Sequence, residues 1–154
     1  MKEKDLIEDR FCKVMVSSLY DSEVRSLLDR YSVKPTKEKG QSFLTSQDVI
    51  RRILKSAELQ SEDKVLEIGG GLGALSKPIT KHVQHLYVIE LDKRLFQALG
   101  DQLGEFSNVT LIHGDALKVK LPRVNKIIAN LPYSAASEIT FRLLHEWQFD
   151  FGWC

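Results

Sequence analysis

The sequence predicts an α/β domain built on a mostly parallel sheet with helices on both faces. From residue 64 onward, short apolar runs alternate with amphipathic stretches: KVLEI, ALSKPITKHV, HLYVIE, KRLFQALGDQL, VTLIH and KIIAN. Strands interleaved with helices are joined by crossovers, and crossovers set consecutive strands parallel. A glycine cluster at 69–73 lies between the first strand and the stretch after it, where a doubly wound fold turns from strand into helix. At 154 residues the chain suits one domain. Its 43% apolar and 28% charged residues are ordinary for a globular protein, and no apolar run approaches the roughly 18 residues of a membrane span.

Residues 5–31 carry Leu6, Ile7, Phe11, Val14, Met15, Leu27, Leu28 and Tyr31 at spacings of three and four, which predicts one or two amphipathic helices packed on the main domain. KPTKEKGQ follows as a polar connector punctuated by Pro35 and Gly40. Its lysines, Lys34, Lys37 and Lys39, read as a solvated run, with phosphate contact as the alternative. Ser46 and Asp48 then open a capped helix over about 46–58, with Val49, Ile50, Ile53, Leu54 and Ala57 as its apolar face. Four strands are expected at 64–68, 85–90, 109–113 and 126–130, with helices at 74–83 and 93–103 between them.

Several features exclude chemistry. MKEKDLIEDR mixes Asp5, Glu8 and Asp9 among its bases and has no apolar core, so neither a secretory nor a transit signal is indicated and a cytoplasmic protein is expected. Cys12 and Cys154 stand far apart without CxxC spacing, which speaks against a disulfide framework or a zinc site. His82 and His85 have no neighbouring acid or third ligand in sequence, so they read as surface residues and no metal is expected. Trp147 and Trp153 read as core residues. A net charge of +1 supplies no bulk attraction for nucleic acid.

The chemistry-bearing segments follow the strands. Glu67-Ile68-Gly69-Gly70-Gly71-Leu72-Gly73-Ala74 ends the first strand. Glycines there admit a ligand close to the backbone, and a helix N-terminus offers free N–H groups. Gly69-x-Gly71-x-x-Ala74 fits a dinucleotide fingerprint, and Glu90 stands at about the spacing of a ribose-binding acid. On this alone a nicotinamide dinucleotide and S-adenosylmethionine are both open. Glu67 favours the second, because a carboxylate aimed into the crevice repels pyrophosphate but can serve a sulfonium ligand, by binding its amino group or orienting the loop. Asp115, in HGDA after the third strand, can accept from an adenine amine or simply form an Asx-turn. After the fourth strand stands Asn130-Leu131-Pro132-Tyr133. An adenine N6 lone pair is delocalised into the ring. The Asn130 Oδ1 and the Leu131 carbonyl can accept its two N–H groups and draw the nitrogen towards tetrahedral geometry. Pro132 stiffens the turn, and Tyr133 offers a face to an unstacked base.

Together, GQSFL at 40–44, EIGGGLGALS at 67–76, VIELD at 88–92, GDA at 114–116 and NLPYSAASEITFRLL at 130–144 resemble the ribosomal RNA adenine dimethyltransferases, relatives of the macrolide-resistance methylases of 23S RNA. The resemblance runs from about residue 27 to about 150. It implies a Rossmann-like class I methyltransferase fold, incomplete at the C-terminus, and transfer of methyl groups from S-adenosylmethionine to N6 of adenosines near the 3′ end of small-subunit ribosomal RNA. It also implies that Gln41, Ser42 and Leu44 cover the cofactor, Gly69 meets its methionine part, Glu90 its ribose and Asp115 its adenine, with Asn130 and Tyr133 on the target base. Glu67, Gly71, Ala116 and Asn130 complete the expected cofactor set. Serine at 42 departs from the asparagine usual in the family.

Residues 1–33 are expected to form a helical extension and 34–154 a partial methyltransferase domain, since the family continues with further strands and a helical RNA-engaging part where this chain stops at FDFGWC. The family implies a monomer. For the chain as given, an exposed fourth strand is expected to invite self-association, poor folding and weak activity. Two other functions stay open: a cofactor-binding remnant or ribosome-assembly factor without catalysis, and a nicotinamide oxidoreductase, which leaves Asn130 to Tyr133 unexplained.

Overall fold

The structure, a computed structural model, describes residues 22–34, 43–44, 46–131 and 133–146. The expected helical stretch before residue 22, both cysteines, Lys37, Lys39, both tryptophans and the closing FDFGWC lie outside these residues.

Nine elements follow in order: α1 (Ser22–Arg30), α2 (Gln47–Ala57), β1 (Lys64–Ile68), α3 (Ser76–Thr80), β2 (His85–Glu90), α4 (Lys93–Leu103), β3 (Val109–His113), β4 (Lys126–Ala129) and α5 (Tyr133–Glu146). The four strands form one parallel sheet ordered β3-β2-β1-β4. Among the described residues, β4 pairs only with β1.

Local chemistry sets the helix boundaries. The Ser46 hydroxyl accepts from the Val49 N–H at 3.4 Å to open α2, and Glu58 closes it in the left-handed region at φ 46°. Asp92 caps α4 by accepting from the N–H groups of Arg94 at 2.9 Å and Leu95 at 3.4 Å. The expected helix at 74–83 shortens to α3, Ser76–Thr80. The Asn108 amide donates to the carbonyls of Thr80 at 2.8 Å and Val83 at 3.1 Å, and the Thr80 hydroxyl donates to Lys77 O at 2.7 Å. These side chains take up backbone groups that a longer helix would use.

Alternation along the strands builds two cores. Val65, Leu86, Val88 and Ile128 pack with Ile50 of α2, Ile79 of α3, Val83, and Leu99 and Leu103 of α4. On the opposite face Leu66, Ile68 and Ile89 meet Ala116 and Ile139 of α5, with Leu117, Val119, Leu121 and Val124 beside them. Helices therefore cover both faces, as the sequence predicts. A third cluster joins Leu28 of α1 and Val33 to Leu72, Leu95 and Ala98, so α1 packs on α4 and the glycine turn.

At the sheet's amino edge a polar staple sets the β1/β4 pairing. The buried Asp63 carboxylate accepts from the Gln60 N–H at 2.7 Å and the Asn125 amide at 2.6 Å, and pairs with the Lys126 ammonium at 2.9 Å. Burial pushes the Asp63 carboxyl up, but these donors together hold it below its ordinary value. Lys126 also donates to the carbonyls of Ala57 at 3.0 Å and Glu58, closing the C-terminus of α2. His85, on β2, bonds the Thr110 hydroxyl at 2.9 Å. No helix among the described residues is long and apolar enough to cross a membrane.

Candidate functional site

β1, β2 and β4 deliver Glu67, Glu90 and Asn130 to the carboxyl edge of the sheet, where parallel α/β folds bind ligands. A crevice of about 940 Å³ opens there, lined by the glycine turn, Glu90, Asp115, Asn130 and Leu131, with Phe43 and Leu44 on its rim. That is the size range of small-molecule sites, ~300–1,000 Å³.

Gly70 passes so close to the core that an added Cβ would lie 2.4 Å from Val88 Cγ1 and 2.9 Å from Leu99 Cδ1. Gly71 turns through φ 56°, in the region that favours glycine. Its N–H donates to Glu90 Oε2 at 2.9 Å, while the Asp92 N–H donates to Oε1 at 2.9 Å. Within the expected cradle of free N–H groups, those of Gly69, Gly71 and Gly73 are therefore already met. α3 is only five residues long, and the Gly71 donor is already met by a carboxylate, which a pyrophosphate would have to displace. Glu90 is 6% exposed. A carboxylate has about four acceptor positions, so its unused lone pairs remain for hydroxyl donors in the crevice.

Glu67 lies beside this turn but differs from the expected anion. It is 2% exposed and accepts from the Ser76 hydroxyl at 2.6 Å. Burial pushes its carboxyl up to about 8, against the lowering effect of Ser76 and with help from the negative charge of Glu90. Near neutral pH it is mainly a neutral hydrogen-bonding group that braces β1 against α3, not a charge repelling phosphate.

Of the two roles its sequence context suggested, Asp115 forms the turn, and it does so at the crevice. Its Oδ1 accepts from the Leu117 N–H at 2.9 Å, forming an Asx-type turn, while the residue lines the crevice. Ala116 is buried behind it. The parallel register Ile68↔Ala129 sets Asn130 beside Gly69, and the Asn130 carbonyl lies 3.6 Å from where a Gly69 Cβ would stand. The glycine turn and the Asn130 turn thus share one wall. Leu131 packs with Ile139. Gln41, Ser42, Pro132 and the Tyr133 side chain lie outside the described residues.

Two crevice residues escaped individual notice in the sequence. Phe43 packs with Leu72 and Leu95 and sits against Gly71. Its signal was an apolar residue in an otherwise polar connector. Leu91, directly after Glu90, is 67% exposed and faces the crevice. Its signal was an apolar residue one step past the end of a strand.

A family model described as ribosomal RNA adenine dimethylase matches residues 33–151. The chain is 43% identical over 130 residues to the probable ribosomal RNA small subunit methyltransferase A of Thermococcus sibiricus, covering 84% of this chain and 46% of the relative. It is 46% identical over 129 residues to the protein of the same name from Methanosarcina barkeri, covering 84% and 44%. The chain therefore spans less than half the length of these curated relatives. The crystal structure of a dimethyladenosine transferase from Plasmodium falciparum superposes with a TM-score of 0.63 at 27% identity, covering 67% of this chain and 38% of that one. The parallel sheet and this likeness give the fold as Rossmann-like, of the class I methyltransferase type. With the family model spanning most of the domain, the chain belongs to the ribosomal RNA adenine dimethylase family.

Proposed function

We propose that the crevice binds S-adenosylmethionine and that the Asn130 turn presents an adenine N6 to it, so that the whole protein dimethylates adenosines of small-subunit ribosomal RNA. The observation that carries this reading is the shared wall of the glycine and Asn130 turns. The donors and acceptors fit the ligand. Glu90 has lone pairs for ribose hydroxyls, Asp115 an acceptor for an adenine amine, and Leu91 and Phe43 apolar surface for a ring. The Gly71 N–H, held by Glu90, disfavours a dinucleotide pyrophosphate. Gln41, Ser42 and Leu44 would cover the cofactor.

When bound, the sulfonium supplies an electrophilic methyl group. The chain's task is then positional. Asn130 Oδ1 and the Leu131 carbonyl accept hydrogen bonds from the two N6 N–H groups and localise the nitrogen lone pair, Pro132 holds the turn, and Tyr133 stacks on the flipped base. After transfer the amine sheds one proton to water, so no general base is required.

The test is methyl transfer to small ribosomal subunits lacking the modification, using a version extended to its relatives' length. Label is expected on adenine N6, and Asn130→Ala is expected to abolish it with a far smaller effect on cofactor affinity. Near-normal turnover by Asn130→Ala would overturn the reading.

A further inference from the structure

Arg142 projects from α5, the helix that begins at Tyr133, towards the loop after β3. Its side chain is 14% exposed. The guanidinium donates to the Ala116 carbonyl at 2.5 Å and the Val119 carbonyl at 2.9 Å, and its remaining donors pair with Glu146 at 2.9 and 3.0 Å. The loop it grips is a single closed turn. The N–H groups of Lys118 and Val119 both donate to the Asp115 carbonyl, at 2.8 and 3.0 Å, and Asp115 Oδ1 accepts from the Leu117 N–H. Val119 packs so tightly over Gly114 that a Cβ there would lie 2.5 Å from Val119 Cγ1. Moving Val119 or Ala116 therefore moves Asp115. The loop has no regular secondary structure to fix it, and its outward carbonyls are met by one planar five-donor group.

We infer that Arg142 is a positioning residue that sets the acceptor of Asp115 against the cofactor's adenine amine and ties that loop to the helix carrying the catalytic turn. The inference rests on the proposed S-adenosylmethionine reading of the crevice. A lysine at this position would keep the charge but lose the fork that spans two carbonyls.

The test compares S-adenosylhomocysteine with S-inosylhomocysteine, whose ring carries a carbonyl in place of the N6 amine and so gives Asp115 an acceptor instead of a donor at that position, its N1–H lying further along the ring edge. Dissociation constants are measured by calorimetry for the chain and for its Arg142→Met and Arg142→Lys variants, with circular dichroism reporting the fold. Arg142→Met is expected to weaken S-adenosylhomocysteine roughly tenfold, the scale of one charge-assisted hydrogen bond. It should change the inosyl analogue less than about threefold, a non-additivity that marks action through the amine contact. Arg142→Lys should fall between. Should Arg142→Met not fold, Arg142→Lys alone decides, by whether its loss is confined to the adenosyl ligand. Equal losses for both ligands, or none for either, would overturn the inference and leave Arg142 a scaffold residue. An unaltered chain that binds neither ligand, or does not distinguish them, would instead overturn the underlying reading of the crevice.

Discussion

Replacing Glu67 with glutamine is expected to remove a pH dependence from the stability of the fold. The carboxyl is pushed from its ordinary 4.5 up to about 8 by burial, so between those values the native state binds a proton that the unfolded state has released. Stability from this group is full below the unfolded value and falls as pH rises towards the folded one. Each pH unit within the window is worth up to about 1.4 kcal/mol. Going from about pH 5 to about pH 7 should therefore cost the unaltered protein about 2–3 kcal/mol more than Glu67→Gln. The glutamine keeps a carbonyl oxygen for the Ser76 hydroxyl, so the change is close to isosteric. Other titrating groups are common to both proteins and cancel in the difference. Urea unfolding at several pH values gives the two profiles, which should converge as pH falls and separate as it rises, with the variant more stable at the upper end. Parallel profiles across the window would refute the argument that Glu67 is held neutral by burial.

Other substitutions test the supports of the site. Gly70→Ala inserts a methyl group where Val88 Cγ1 stands at 2.4 Å, and thermal unfolding should show a loss of about 1–3 kcal/mol from overpacking. Lys126→Met leaves the buried Asp63 carboxylate without its cation and the carbonyls of Ala57 and Glu58, at the end of α2, without this donor. Chemical denaturation should report about 3 kcal/mol lost, and Asn125→Ala in the same background should cost less than it does alone. Glu90→Ala removes acceptors for the Gly71 and Asp92 N–H groups together with those proposed for the ribose, so calorimetry should show cofactor affinity weakened by about 1–3 kcal/mol.

The parallel sheet was legible because its strands are short apolar runs bounded by polar or glycine breaks, and α4 because KRLFQALGDQL carries a clean apolar stripe. The gathering of Glu67, Glu90 and Asp115 at one edge was legible because each lies at or just past the end of a strand, and parallel strands all end at one edge. What side chains do at long range was not legible. The length of α3 depends on Asn108, 28 residues beyond Thr80. The neutral state of Glu67 depends on α3 packing over it, and the committed state of the Gly71 N–H depends on Glu90, 19 residues away. Arg142 carried no signal of its own in the sequence, because the carbonyls it meets, those of Ala116 and Val119, lie 26 and 23 residues earlier.

Cofactor identity is tested most directly by titrating the chain with S-adenosylmethionine and with NAD under identical conditions in a calorimeter. The account predicts saturable binding of S-adenosylmethionine, weakened by Glu90→Ala, and no detectable binding of NAD. Saturable NAD binding, or S-adenosylmethionine binding that Glu90→Ala leaves unchanged, would contradict it.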